Sequence, residues 1–569
     1  MAAGNGTPQP MKTGGPESVP TAAGTAGATA PPSSAVTEAA AENLTKAKEA
    51  ELFGPLPSVW MILPFCLILA LIAIMPLAPK ATHFWEKNRN KLIVALCCAI
   101  PILLYYGLVH GYPVEVEEQT GVASMTDAEL LAANAKYLPA LNPGAQTTDV
   151  TQVSREQLAE AILRATPDST IKAWSAQNAT LGSSLKRLLT HAVFDDYIPF
   201  IVLLFALFTI SGGIRLKGDI PAHPLTNTIF LALGAILASC IGTTGAAMLL
   251  IRPLLQTNSE RERKVHTFVF FIFIVCNTGG LLLPIGDPPL FMGYLRGVPF
   301  FWTLRLWKAW VVVNGLLLAV YYIWDHIQYK KEPIMDIVAD ETHVEPMRLT
   351  GGWNFLLLAG VVFCVAKIDP HMDFLGTGWK PFVYFRELCL LALAGLSYKV
   401  VTPKGVHAAV GFNFGGICEV AALFIGIFLT MQIPIELLVR QGESLHLDTA
   451  AKLFWASGGL SSFLDNTPTY IVFFSSATGI ANECALRGDS LLSLLSGGQI
   501  SIPLLMAISL GSVMMGANTY IGNGPNFLVK SVAEGTGVKM PSFFGYMAYS
   551  ICILIPLFIV ITFLLPYLT

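Results

Sequence analysis

Asp465, Asn466, Thr467 and Pro468 stand together inside the apolar run "GGLSSFLDNTPTYIVFF", from Gly458 to Phe474. A carboxylate, an amide and, with Thr469, two hydroxyls at such close spacing offer oxygen ligands to a hard cation, and the proline interrupts a helix beside them. Similar polar breaks occur elsewhere. Gly242-Thr243-Thr244-Gly245 lies in "SCIGTTGAAMLLIRP", and Ile285-Gly286-Asp287-Pro288-Pro289 lies in "NTGGLLLPIGDPPLFMGY". Ile521-Gly522-Asn523-Gly524-Pro525 lies in "GANTYIGNGPNFLV". In both halves of the chain the Thr-containing break comes first and the Ile-Gly-x-x-Pro break follows. A lone glycine of this kind serves helix packing. Matched breaks in matched order point to an internal repeat.

A broken helix inside a bilayer is tolerated where its freed backbone groups face protein, a cavity or a ligand. Thr243 and Asn466 are therefore expected at the tips of two re-entrant hairpins, and Gly286 and Gly522 where two crossing helices unwind. Half-helix ends present carbonyls to cations and N–H groups to anions. Thr244, Thr467, Asn518 and Asn523 add uncharged oxygens. Burying a carboxylate at mid-membrane costs roughly 3 kcal/mol on insertion scales, so such a group faces a pathway or a partner. Asp465 is the first candidate for proton/cation coupling, Asp287 the second, and Glu419 in "GGICEVAALFIGIFL" a proton relay. Asp195 and Asp196 precede an apolar run, where a helix start favours acid anyway. Arg252 is the central candidate base, while Lys308 and Lys530 fit snorkelling positions. His191 and His407 stand ahead of apolar runs, where pH sensing is a secondary reading. This excess of acid favours cation/proton exchange. Carboxylate transport is the alternative, and a channel or membrane enzyme lacks any supporting motif.

The elements that must hold these residues are membrane helices. Of 569 residues 53% are hydrophobic and only 13% charged, against roughly 25% charged in soluble domains. Apolar runs of spanning length recur, such as Leu92 to Val109 and Met547 to Leu565. The fold class is an all-α polytopic membrane protein with two inverted-topology repeats. Residues 1–50 read as a disordered tail and 51–110 as N-terminal transmembrane helices. A helical cap over 111–190 follows, with capping-box spacing at Thr126/Glu129 and Ser154/Gln157 and a glycosylation-type Asn178-Ala179-Thr180. Residues 191–324 form the first repeat, 325–350 a polar linker and 351–569 the second repeat. Lys80, Lys87, Arg89 and Lys91 place the first short link in the cytoplasm, and the acidic stretch from Glu115 to Glu129 places the next link outside. The scattered cysteines have neither disulfide nor metal spacing. No basic stripe suits nucleic acid.

The Asp465-Asn466-Thr467-Pro468 and Gly-Thr-Thr-Gly breaks, with the "PIGDPP"/"YIGNGPN" pair, resemble the ion transporter superfamily over residues 197–569. Its members include NhaD-type sodium/proton antiporters, citrate/metal transporters, arsenite permeases and divalent-anion/sodium symporters. The closest likeness is to the NhaD-like and citrate-transport branch. The resemblance implies a non-enzymatic secondary transporter of a bacterial inner membrane. It also implies a homodimer with scaffold and transport domains in an elevator cycle, and no cofactor beyond sodium. Its sodium sites would comprise Thr243 and Thr244 with Gly286 and Asp287, and Asn466 and Thr467, beside Asp465, with Gly522 and Asn523. The chain departs from the paired Ser-Asn-Thr tips of dicarboxylate symporters. Asp465 at a tip repels an anion unless a cation neutralises it, so sodium/proton antiport is expected before citrate or dicarboxylate transport.

Overall fold

The computed structural model describes residues 56–75, 82–111, 181–342, 344–368, 374–441, 447–496 and 498–568. The expected tail and nearly all of the expected cap, with Thr126, Glu129, Ser154, Gln157 and Asn178, lie outside the described residues. Residues 184–190, assigned to the cap from sequence, instead begin a long apolar helix that continues to Ser211.

Six helices among the described residues are long and apolar enough to cross a membrane: Asn88–His110, Ser184–Ser211, Pro224–Ile241, Phe300–Tyr329, Gly415–Val439 and Phe543–Tyr567. Many of their large side chains point outward, including Leu233, Ile236, Val311, Ile323 and Phe563. In water such faces would drive association; in lipid they are the expected exterior. The protein is a multi-pass membrane protein.

The principal helices are α1 (Leu63–Ile74), α2 (Asn88–Tyr105), α3 (Ile198–Ser211), α4 (Pro224–Ile241), α5 (Thr243–Thr257), α6 (Val265–Ile274), α7 (Pro288–Leu295) and α8 (Trp307–Tyr329). They continue with α9 (Asn354–Lys367), α10 (Phe385–Leu396), α11 (Gly415–Thr430), α12 (Gln432–Gln441), α13 (Ala450–Ser461), α14 (Asn466–Gly479), α15 (Ile502–Met515), α16 (Gly524–Gly535) and α17 (Phe543–Leu568). Two small antiparallel ribbons are the exception to the all-α expectation. Strand β1 (Arg215–Asp219) pairs with β2 (Glu345–Thr350), and β3 (Leu491–Ser493) pairs with β4 (Gln499–Ser501).

Within the unit from Phe53 to Thr569 two sets of helices can be followed, joined where α3 packs on α5 and α12 on α14. In the first, α2 packs on α1 and α11, and α3 packs on α9 and α10. The second holds every helix beside a polar break: α4 with α5, α6 with α8, and α13 with α14 and α15. Helix α6 is buried from His266 to Ile274 and α15 from Leu504 to Met515. A helix apolar all round belongs in an interior, so these two form the core of the second group and neither faces lipid. Proline restarts the chain after each unwound stretch, at Pro288 and Pro289 for α7 and Pro525 for α16. There its missing N–H and fixed φ cost nothing.

Polar ties join distant segments. Arg261, Asp325 and Glu332 are buried together, with Arg261 Nη2 donating to Asp325 Oδ1 at 2.6 Å and Arg263 N donating to Glu332 at 2.8 Å. Asp325, read from sequence as the start of a polar linker, thus lies inside α8 as a structural anion. Ribbon β1–β2 joins the segment leaving α3 to the segment entering α9, so both crossings between the two helix groups in this part of the chain run side by side.

Candidate functional site

The breaks converge. Helices α4 and α5 meet at Gly242, whose φ of 82° suits glycine, and Thr243 N donates to Gly286 O at 2.8 Å. Helices α13 and α14 meet around Asp465, the N-cap of α14. Between α6 and α7 a single-turn 3₁₀ segment (Thr278–Leu281) leads into Gly286-Asp287. Between α15 and α16 a similar turn (Gly516–Asn518) leads into Gly522-Asn523. The close backbone approach is the same in both. A Cβ on Gly286 would collide with the carbonyl of Gly280, and one on Gly522 would lie 2.6 Å from the carbonyl of Gly516. These positions need glycine for space.

Asp287 lies at the meeting point, fully buried. Its Oδ1 accepts from Thr243 Oγ1 at 2.9 Å and from Asn523 Nδ2 at 3.3 Å, and its Oδ2 accepts from Asn466 Nδ2 at 2.7 Å. The α4–α5 junction, the α13–α14 junction and the second unwound segment therefore hold one carboxylate. Thr467 is buried beside Asn466, with Oγ1 donating to Asn466 Oδ1 at 3.4 Å. Asn518 donates to Ser462 Oγ at 2.8 Å, while its buried Oδ1 has no hydrogen-bond partner. Gly522 N donates to Thr519 Oγ1 at 3.1 Å. Thr244 is half-buried in the first turn of α5.

Asp465 is placed differently from Asp287. It is half-buried, and its Oδ1 caps α14 by accepting from Thr467 N at 3.0 Å. Among the partners of Asp287 are Thr243, Asn466 and Asn523, and it shares no hydrogen bond with Asp465 among the described residues. Glu419 is outside the cluster: Lys91 Nζ stands 2.6 Å from its Oε1, joining α2 to α11. Asp196 accepts from Arg296 Nη2 at 2.8 Å. Arg252 is exposed and lines a separate cavity.

Two asparagines that sequence reading did not single out complete the centre. Asn277 Nδ2 donates to Asn526 Oδ1 at 2.8 Å, and Asn523 Nδ2 also reaches Asn277 Oδ1 at 3.2 Å. Asn526 in turn donates to the carbonyls of Gly516 and Thr519, both at 2.9 Å. This chain of amides ties the α6–α7 break to the α15–α16 break. Both residues stand within the quoted motifs, so a polar side chain beside a break was the available signal.

Among the described residues no three His, Cys, Asp or Glu side chains converge as a metal centre. The cluster is instead one carboxylate among hydroxyls, amides and backbone carbonyls, a donor set for a hard ion or a proton. The family model described as "Putative citrate transport" matches residues 55–122 and 169–566. The chain belongs to this citrate-transport family. Among curated proteins none matches the chain. The match includes every break and both helix groups, so membership assigns a transporter and not an enzyme. In this transporter the buried polar cluster is the candidate site for its small-solute or ion cargo.

Proposed function

We propose that this citrate-transport family protein carries citrate or a related carboxylate across a bacterial inner membrane, coupled to sodium or protons. The observation that carries the reading is Asp287, fully buried and hydrogen-bonded by Thr243, Asn466 and Asn523 from three different breaks. A buried carboxylate repels an anionic cargo unless a cation or proton neutralises it. Cation entry first and citrate second is therefore the order the charge requires. Asp287 with the oxygens of Thr243 and Asn466 fits one sodium ion. The unpartnered Oδ1 of Asn518 fits a second in the other half. Thr244, Thr467, Gly286 and Gly522 shape these sites, and Asp465 adds a charge at the second tip. With sodium bound, the half-helix N-termini of α5, α7, α14 and α16 offer N–H groups to the carboxylates of the cargo.

The matched breaks support two inverted repeats, over 191–324 and 351–569. Helix α5 of one half packs on α16 of the other, and α7 packs on α14, the exchange a pseudo-twofold axis produces. On this reading the broken-helix group is the transport domain and the group built on α2, α3, α9, α10 and α11 is the scaffold. The transport domain then moves as an elevator within a homodimer. The test is citrate uptake by proteoliposomes under an imposed sodium gradient and, separately, an imposed pH gradient. Saturable uptake driven by either gradient is expected, and uptake equal without any gradient would overturn coupling.

Sodium/proton exchange is the second reading, favoured by one observation. No arginine or lysine donates to Asp287, so a guanidinium to receive a carboxylate is missing from its described partners. Sodium-dependent dissipation of a pH gradient without citrate would select it.

A further inference from the structure

A second polar concavity lies apart from the hairpin tips. It encloses about 420 Å³ between β1, the second half of α5, the loop at Ala409 and Val410, and the chain just after α16. Arg215, Lys217, Arg252 and Lys264 line it and no acidic residue does. Lys217 is partly engaged, 2.8 Å from Glu345 on β2, and Lys264 donates to the carbonyls of Asn258 and Ser259. Arg215 and Arg252 have no ion pair among the described residues. Gln256 and Ser259 add neutral hydrogen-bonding groups to the wall.

Like charges gathered around one hollow repel one another, and the packing of β1 on α5 brings Arg215 and Arg252 to its wall. Arg252 stands nine residues beyond Thr243 on α5, roughly 13 Å along the helix at 1.5 Å per residue. The hollow is therefore distinct from the Asp287 cluster. One wall belongs to β1 and the neighbouring wall to α5, and the two pack directly on each other.

We propose that this cavity is an anion site for a molecule bearing at least two negative charges on carboxylate or phosphate-type oxygens. The anion is held by Arg252 from α5 and Arg215 from β1. Two planar guanidinium forks suit bidentate contact with such oxygens. The bound anion bridges β1 and α5, which already pack on each other. The site stands whether or not citrate is the cargo.

The probe is inorganic phosphate, which is not the proposed cargo. It is added to the purified full-length protein in detergent at constant ionic strength, with sodium chloride as reference and thermal unfolding as readout. Phosphate is expected to raise the melting temperature saturably. Arg252→Gln and Arg215→Gln are each expected to weaken its apparent affinity about tenfold or more, as loss of one charge-assisted contact dictates. Arg252→Lys is expected to restore part of it. Asp287→Asn is expected to keep the phosphate response, which separates this site from the tip cluster. A parallel series in nanodiscs with and without cardiolipin, whose headgroup carries two phosphodiesters, distinguishes a lipid headgroup from a free anion. Stabilisation in either series that both glutamine variants lose supports the site. No stabilisation in either series, or equal stabilisation in the glutamine variants, overturns it. A response lost in Asp287→Asn yet kept in Arg252→Gln also overturns it, while leaving the transport reading intact.

Discussion

Asp287→Asn tests the centre of the site most directly. The substitution keeps the shape of the side chain and turns one carboxylate oxygen into an NH₂ group. Oδ1 accepts from Thr243 and Asn523, so the new oxygen keeps both bonds when it occupies that position. The NH₂ group then faces Asn466 Nδ2, which now donates to Oδ2 at 2.7 Å, and donor meets donor. One hydrogen bond to a charged group is lost, about 1.5–3 kcal/mol. A cation held by this carboxylate loses a ligand of similar worth. At 1.4 kcal/mol per decade the half-saturating cation concentration rises ~10- to 150-fold. The assay is initial citrate uptake by proteoliposomes across a sodium series at fixed pH and a pH series at fixed sodium. Thermal unfolding of the same preparation separates a folding defect from a coupling defect. A folded variant whose uptake depends on sodium and pH as the parent's does would refute the placement of the coupling cation at Asp287.

Gly522→Ala places a Cβ 2.6 Å from Gly516 O and 2.7 Å from Ser461 O, and an overpacked backbone contact of this kind costs about 1–3 kcal/mol. A lowered melting temperature is expected, with Gly524→Ala unchanged because nothing lies within 4 Å of its added Cβ. Glu419→Gln is expected to leave the sodium and pH dependence of transport as in the parent, since its carboxylate pairs with Lys91 and not with the cluster. A shifted pH profile in uptake assays would restore it as a proton relay. Asp448 precedes α13 and is bound by Lys452 at 2.7 Å and Arg487 at 2.9 Å. The bond from Lys452, with lesser help from Arg487, holds its carboxyl down to about 2, below the ordinary 3.8. A lowered folded-state value stabilises above the ordinary one and fades as pH falls through the folded one. Asp448→Asn should therefore differ from the parent in acid unfolding above about pH 4 and converge with it near pH 2.

The positions of the breaks were legible because glycine and proline act on the backbone locally, whatever surrounds them. The unwound turns before Asp287 and Asn523 lie where Gly286 and Gly522 indicated. Which acid sits deepest was not legible. Asp287 receives Asn466 from 179 positions away, and nothing in either local sequence reports that encounter. Asp465 reads as the stronger candidate from its neighbours, and its local partner Thr467 N makes it a helix cap. The pairing of Glu419 was hidden for a similar reason, because its partner Lys91 lies on a distant helix. Arg252 reads as central by proximity to Thr243, but more than two helical turns carry it to another chamber.

The ribbon of β1 and β2 constrains how the machine can move. Its ladder runs from Arg215 opposite Thr350 to Asp219 opposite Glu345, with one irregularity beside Gly218. Sliding one strand past the other would break that ladder in steps of about 3.4 Å, whereas swivelling about it breaks nothing. Two tethers fastened along their length behave as a hinge pin. Cargo displacement along this edge should then be an arc, with its largest travel at the end farthest from the pin.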